Sequence, residues 1–144
     1  KTFLSACIAK TVADRGYSVV YETASHLFSK LEQAKFTPTE ENKREAAKLL
    51  ECDLLIIDDL GIERNTDFAM EQIFNVIDSR YRSRKPMIIC TNLELSELKN
   101  PQDVDHERIY SRILEHSICI KCNGINFREE NAKKTMEEAV KVFR

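Results

Sequence analysis

The sequence predicts an α/β fold, in which a parallel β-sheet carries helices on both of its faces. Segments with helical apolar spacing alternate with short apolar runs, which is the pattern of parallel strands joined by helices. Two of these runs, 53–58 (DLLIID) and 86–91 (PMIICT), are apolar almost throughout, as in strands buried on both faces. No linker or low-complexity tract interrupts the 144 residues, so residues 1–144 are expected to form one domain.

Each element is predicted from a local signal in chain order. A first helix is expected over 2–15, where apolar residues recur at helical spacing and Gly16 follows as a C-cap. A long helix is expected over 67–84, with its N-cap at Thr66-Asp67. The other predicted strands and helices are as follows: strands at 17–24, 53–58, 86–91 and 117–121, and helices at 25–36, 40–52, 105–115 and 128–144.

Composition excludes several classes of protein. With 42% apolar and 32% charged residues, the chain is expected to fold and not to be disordered. No apolar run approaches the ~20 residues that span a bilayer, which argues against an integral membrane protein. The net charge of −2 argues against nucleic-acid binding through bulk charge, so any such contact is expected to be local. The odd number of cysteines, 5, favours free thiols and a cytoplasmic location.

Two carboxylates, Asp58 and Asp59, follow the apolar run that ends at Ile57. In open parallel sheets, ligands bind at the carboxyl edge of the strands. One carboxylate there can hold Mg²⁺, and a second can orient or deprotonate a water molecule. The alternative is a strand that ends in a polar turn, because Leu60-Gly61 comes next.

The dipeptide Lys1-Thr2 stands directly before the first predicted helix. A P-loop ends in Gly-Lys-[Ser/Thr] and continues into a helix, with the lysine on the phosphates and the hydroxyl on Mg²⁺. The chain begins at this point of the motif and contains only 3 glycines where average usage predicts roughly 10. The glycine loop and the strand before it are therefore expected upstream of residue 1.

Three further polar features are candidates for the same site. Asn92 follows the strand at 86–91 and could position a water molecule, or it could simply cap the next turn. Arg108 and Arg112 lie on one face of a predicted helix, where they could complete a phosphate site of a neighbouring subunit or form surface ion pairs.

A basic cluster ends the long predicted helix; it comprises Arg80, Arg82, Arg84 and Lys85. Cations at a helix C-terminus favour the helix dipole, which explains the cluster without a ligand. The alternative is a contact with the phosphates of single-stranded DNA.

Taken together, these motifs resemble the AAA+ ATPase domain of the DnaC/IstB group, which includes replicative helicase loaders and transposition helper ATPases. The resemblance rests on Lys1-Thr2 and on four further segments: 54–61 (LLIIDDLG), 66–81 (TDFAMEQIFNVIDSRY), 88–92 (IICTN) and 107–115 (ERIYSRILE). It implies a P-loop NTPase three-layer sandwich, the AAA+ large subdomain, whose N-terminal strand and most of Walker A are missing from this chain.

The resemblance also implies a role for each matched residue. The implied roles are these: Lys1 and Thr2 end Walker A, Asp58 and Asp59 are the Walker B acids, Asn92 is sensor 1, Arg112 is the arginine finger with Arg108 as its companion, and Arg128 is the sensor 2 arginine. Nucleotide would contact Lys1, Thr2, Arg108 and Arg128, and Mg²⁺ would be held by Thr2 and Asp58. One departure is Asp59, where most AAA+ proteins carry Glu, and it implies slow hydrolysis.

The implied function is ATP hydrolysis coupled to loading a replicative DNA helicase onto single-stranded DNA. The implied partners are that helicase, single-stranded DNA and further copies of the chain, with ATP bound between subunits. The alternatives are a transposition helper ATPase that prefers duplex DNA, a P-loop kinase, and a nucleotide-binding adaptor without significant turnover. The absence of a recognisable acceptor-binding lid argues against the kinase.

Overall fold

The computed structural model describes residues 1–61, 67–101 and 103–122, together with 132, 135 and 136. Its elements, in chain order, are α1 (Thr2–Ala13), β1 (Val19–Thr23), α2 (Ala24–Phe36), α3 (Glu40–Glu51), β2 (Leu54–Leu60), α4 (Asp67–Arg82), β3 (Met87–Thr91), α5 (Leu95–Lys99) and α6 (Val104–His116).

The three strands form a parallel sheet in the order β1-β2-β3. Helices connect the strands, as a parallel sheet requires. The central strand β2 is buried along nearly its whole length, because it has a strand on each side and helices on each face. Its near-continuous apolar sequence is typical of such a position.

The two faces of the sheet are covered by different helices. Leu55 and Ile57 of β2 join the main core with Leu27 of α2, Leu49 of α3 and Ile77 of α4. Residues of β2 at the alternate positions face α1, which lies on the other side of the sheet. Helices therefore lie on both faces, as the alternation of elements predicts.

An ion-pair network fixes α2 against its neighbours. The Lys30 ammonium donates to Glu22 of β1 at 2.6 Å and to Glu45 of α3 at 3.0 Å. The bond to Glu22 raises the pKa of Lys30. Hydrogen bonds from Lys48 and Lys30 lower the pKa of Glu45 to about 2. The middle of α2 is thereby tied to the sheet and to the helix that follows it.

Arg80 of α4 is fully buried and serves as a donor for the backbone. Its Nη1 group donates to the carbonyls of Leu49 at 3.1 Å and Cys52 at 3.0 Å, and its Nη2 group donates to Pro86 at 2.7 Å. Burial lowers the pKa of the guanidinium. One side chain thus joins the end of α3, the start of β2 and the start of β3.

The position of Arg80 corrects one of the two interpretations of the basic cluster. A contact of Arg80 with DNA phosphates is wrong, because its side chain is fully buried. The other interpretation, a cation that favours the helix dipole, agrees with its place in the last turn of α4. The backbone carbonyls around it explain its burial, because they turn inward where three elements meet and need donors. Arg82 remains exposed and pairs with Asp78 at 2.8 Å.

Two other predictions differ from the structure. Residues 117–121 are not a strand; they lie outside regular structure, with Ile118 and Ile120 largely exposed. The alternation of apolar residues there has no strand beside it among the described residues, and alternation alone does not make a strand. The short helix α5 was not predicted, although the Glu94–Glu97 capping box that begins it is visible in the sequence.

Some predictions fall where the structure gives no description. The helix expected over 128–144 lies almost entirely outside the described residues, and so does the N-cap at Thr66. Across the part of the chain that is described, no helix is both long and apolar enough to cross a membrane.

We predict that Arg80→Met lowers the free energy of unfolding by about 3–5 kcal/mol, because it leaves inward-facing carbonyls without donors. Urea denaturation measures the change. Arg82→Ala is the matched control, since it removes an exposed arginine of the same helix and is expected to cost no more than about 1 kcal/mol. Equal stabilities of the two variants would contradict the structural role of Arg80.

Candidate functional site

Three elements meet at the carboxyl edge of the sheet, and each brings a polar residue singled out from the sequence. Lys1, directly before α1, donates from Nζ to the Thr91 carbonyl at 2.7 Å and to Asn92 Oδ1. Thr91 Oγ1 donates to the carbonyl of Leu60 at 2.7 Å and accepts the Leu93 N–H at 3.0 Å, which fixes the turn that carries Asn92. The structure thus brings Lys1 and Asn92 together.

The acids at the end of β2 lie in a β-bulge. The register with β3 shifts between Ile57 and Leu60, so that Asp58 and Asp59 together lie opposite Cys90 alone. Asp58 is buried and Asp59 is exposed. The predicted end of this strand at Asp58 is therefore two residues short, because pairing resumes beyond the bulge.

The backbone at Asp59 explains why this residue is aspartate. Its φ is +56°, in the left-handed region that Asp and Asn enter more readily than most residues. A glutamate would have the longer reach that most AAA+ proteins use, but it is less suited to this backbone. The bulge therefore favours Asp at a position where most AAA+ proteins carry Glu, and where the DnaC/IstB group often carries Asp.

The carboxylate of Asp58 is held by two donors. The N–H of Asp59 donates to Oδ1 at 3.0 Å, and the Tyr21 hydroxyl lies 2.9 Å from Oδ2. Tyr21 also lies 2.9 Å from Ser5 Oγ, which donates to the Thr2 carbonyl at 2.9 Å. Neither Tyr21 nor Ser5 was predicted as a site residue. Their contact with Asp58 depends on the pairing of β1 with β2, and no local sequence motif indicates that pairing.

The first turn of α1 supplies donors that are suited to an anion. The first helical bond in this turn runs from the Ser5 N–H to the Lys1 carbonyl at 3.0 Å, so the N–H groups before Ser5 have no partner within the helix. Free N–H groups at a helix start, next to a lysine, are a common setting for phosphate. Thr2, the first residue of the helix, is exposed and its hydroxyl is free to face a ligand.

The oxygen donors at this edge suit Mg²⁺ in a nucleotide complex. The Asp58 carboxylate and the Thr2 hydroxyl are hard oxygen ligands of the kind that Mg²⁺ prefers. The Tyr21 hydroxyl lies between their residues, 2.9 Å from Asp58 Oδ2 and 3.4 Å from the Thr2 backbone carbonyl. Among the described residues there is no group of three His, Cys, Asp or Glu side chains able to enclose a metal ion. The residues present therefore fit a cation that shares its coordination with phosphates and water.

The predicted arginines lie on a different surface. The guanidinium groups of Arg108 and Arg112 lie over the ring of Phe74, 4.8 and 5.0 Å from its centroid. Arg112 Nη2 also lies 3.1 Å from Asp78 Oδ1. Within the described part of the chain, the recorded contacts of these two arginines are with α4 and not with Lys1 or the acids. Arg128 lies outside the described residues.

An aromatic cluster, not predicted from the sequence, joins α2 to the start of α4. We define it as Phe28, Phe36, Phe68 and Lys35. The ring of Phe68 lies 5.7 Å from that of Phe28 and 5.5 Å from that of Phe36, centroid to centroid, and Lys35 Nζ lies 4.2 Å from its centroid. Phe36 remains 66% exposed. Helical spacing did not reveal this cluster, because its members come from two helices.

Comparison with known proteins gives one family match and several distant relatives. The profile described as IstB-like ATP binding protein matches residues 1–135. The replicative helicase loader DnaI of Bacillus subtilis (strain 168) is 26% identical over 138 residues, which cover 89% of this chain and 44% of that protein. A putative insertion sequence ATP-binding protein of Sinorhizobium fredii (strain NBRC 101917 / NGR234) is 26% identical over 134 residues, with 92% and 44% covered.

The chain spans about half the length, or less, of the curated relatives that it matches. Among solved structures, the crystal structure of the DnaC helicase loader matches with a TM-score of 0.64 and 23% identity, covering 81% of this chain and 68% of that one. The shared architecture is the P-loop NTPase fold of AAA+ proteins. The fold class predicted from the sequence is therefore confirmed.

Proposed function

Because the chain belongs to the family of IstB-like ATP binding proteins, related to the DnaC and DnaI loaders, we propose that it hydrolyses ATP in order to load a replicative helicase onto single-stranded DNA in the cytoplasm. One observation carries the hydrolytic part of the proposal. Lys1, Asp58, Asp59 and Asn92 converge on one edge of the sheet, around the free first turn of α1. In this arrangement Lys1 supplies a cation, and Asp58 supplies a carboxylate that can hold a metal ion. Asp59 supplies a base, and Asn92 supplies an amide that can orient a water molecule.

The proposed role of each residue follows from the exposure of its side chain and from its hydrogen bonds. Lys1 would exchange its bonds to Thr91 and Asn92 for the β- and γ-phosphates, leaving the Asn92 amide to orient the attacking water. Asp59 is exposed and close in sequence to the anchored Asp58, so it is the carboxylate available to accept a proton from that water. Bound Mg²⁺ would neutralise phosphate charge, and Thr2 and Asp58 are the residues that would hold it.

We predict that Asp59→Asn retains ATP binding and loses turnover by about 10²–10⁴-fold, the range for a general base. Asparagine tolerates the left-handed backbone at this position, so the bulge is expected to persist. The measurement is ATP turnover of the full-length protein with and without single-stranded DNA, with nucleotide binding measured in parallel. Asp14→Asn, at the other end of α1, is the matched control and is expected to behave as wild type.

Two results would count against this mechanism. Turnover by Asp59→Asn at the wild-type rate would remove Asp59 from the role of base. A wild-type protein that binds ATP tightly but shows no turnover, with DNA and at every protein concentration, would instead be the nucleotide-binding adaptor considered as an alternative.

The position of Arg112 supports a site shared between subunits. Its recorded contacts are with Phe74 and Asp78 of its own α4, while its side chain remains 31% exposed. An arginine on that surface can reach the phosphates of a neighbouring copy, with Arg108 beside it and Arg128 as the proposed sensor 2 contact. Self-association would then be required for full activity, as with an arginine finger supplied in trans.

We predict that Arg112→Ala abolishes the rise of specific ATPase activity with protein concentration and lowers the maximal rate by about 10³-fold or more. ATPase assays over a dilution series measure this. The matched control is Arg82→Ala, since Arg82 pairs with the same carboxylate of Asp78. If Arg112→Ala hydrolyses ATP as fast as wild type at every concentration, the proposed role in trans is wrong.

The aromatic cluster supports contact with single-stranded DNA. Exposed aromatic rings stack on unpaired bases, and a lysine beside them meets the backbone phosphates. Phe36 offers such a ring, and Lys35 lies next to it. Burial of Arg80 removes the first residue of the basic cluster that was the earlier candidate for this contact.

We predict that Phe36→Ala weakens binding of single-stranded DNA by 1–3 kcal/mol, roughly the value of one stacked base. Fluorescence anisotropy with a labelled oligonucleotide measures the change. Tyr17→Ala is the control, because Tyr17 is also an exposed aromatic residue but lies before β1, away from the cluster. Equal effects of the two substitutions would contradict the proposed surface, and a preference of wild type for duplex DNA would favour the transposition helper.

A further inference from the structure

A chain of hydroxyl groups connects the first turn of α1 to the buried acid of β2. Tyr21, on β1, lies between the two: its hydroxyl is 2.9 Å from Asp58 Oδ2 and 2.9 Å from Ser5 Oγ. Ser5 is 2% exposed, and its hydroxyl lies 2.9 Å from the Thr2 carbonyl. The first helical residue and the acid at the end of β2 are thus linked by two side chains from two different elements.

The number of available protons determines the direction of these bonds. An ionised carboxylate can only accept, so the single proton of the Tyr21 hydroxyl points to Asp58 Oδ2. Ser5 then donates either to the oxygen of Tyr21 or to the Thr2 carbonyl. A tyrosine hydroxyl carries its proton at neutral pH, since its ordinary pKa is about 10. Tyr21 is therefore a permanent donor to Asp58.

A second donor to Asp58 restricts the rotation of its carboxylate further. The Asp59 N–H is bonded to Oδ1 while Tyr21 is bonded to Oδ2, so the plane of the carboxylate is fixed at both oxygens. Each oxygen retains a further lone pair for a water molecule or a cation. A phenylalanine at position 21 would fill nearly the same space and would remove the donor to Oδ2.

We propose that Tyr21 is the positioning residue for the metal-binding carboxylate of Asp58, and that Ser5 ties this orientation to the start of α1. The inference rests on the proposed nucleotide site and identifies what sets its affinity for Mg²⁺. Side chains that orient a metal ligand commonly change metal affinity by 10–100-fold when they are replaced. Because Ser5 is itself a residue of α1 and its hydroxyl lies 2.9 Å from that of Tyr21, a shift of the start of α1 would be felt at Tyr21 and hence at Asp58.

The test compares Tyr21→Phe with wild type in the full-length protein. A fluorescent, non-hydrolysable ATP analogue is titrated at a series of Mg²⁺ concentrations and in the presence of EDTA. We expect the Mg²⁺ concentration for half-maximal enhancement of binding to rise about 10-fold. Analogue affinity in EDTA is expected to equal that of wild type, because the groups proposed to bind phosphate, the free N–H groups of α1 and Lys1 Nζ, form no hydrogen bond with the Tyr21 hydroxyl. Tyr17→Phe, an exposed tyrosine, is the matched control.

The outcomes separate this inference from the proposed function. If wild type shows no enhancement of binding by Mg²⁺, the proposed nucleotide site itself fails. If wild type is enhanced and Tyr21→Phe has the same half-maximal concentration, only the role of Tyr21 is overturned. If Tyr21→Phe does not fold, Ser5→Ala takes its place: an increase in the half-maximal concentration supports the link to α1, and a wild-type value overturns it.

Discussion

The bonds of Arg80 are the constraint on which the positions of the other elements depend. Carbonyl groups from the end of α3, from just before β2 and from just before β3 meet at one point, and a single guanidinium donates to all of them. No carboxylate is needed, because the delocalised charge is spread over backbone dipoles. These bonds fix where β2 and β3 begin and where α4 ends. The register that results determines which residues of β2 and β3 meet at the opposite edge, where the acids and Asn92 lie.

At that opposite edge, the β-bulge in β2 determines the positions of the Asp58 and Asp59 carboxylates. A continuous strand would direct Asp58 and Asp59 to opposite faces of the sheet, at the same depth. The bulge instead buries one acid under the hydroxyl of Tyr21 and leaves the other exposed. The difference in burial between the two adjacent carboxylates is therefore set by the backbone, and a short acid suits the left-handed conformation at Asp59.

Most of the fold was predictable, because helical and strand periodicities report burial directly. The apolar runs at 53–58 and 86–91 became β2 and β3, and the helix over 67–84 became α4. Features that depend on pairing between distant segments were not predictable. Examples are the inward direction of Arg80, the hydroxyl of Tyr21 against Asp58, and the ring of Phe68 between two rings of α2. Residues 117–121 show the reverse case, where alternation is present and no strand lies beside it in the part of the chain that the structure describes.

The ion pair between Arg112 and Asp78 has a consequence for the energetics of assembly. The guanidinium already has an anionic neighbour in its own chain. Under the proposed role in trans, a phosphate from a neighbouring subunit would therefore have to displace a carboxylate and would not meet a bare cation. Such an exchange is favourable only to the extent that the incoming anion carries more charge, or is better desolvated, than the one it replaces. Contact through Arg112 would then discriminate between nucleotides by the charge of the terminal phosphate. Rising ionic strength would weaken the Arg112–Asp78 pair and the Arg112–phosphate pair alike.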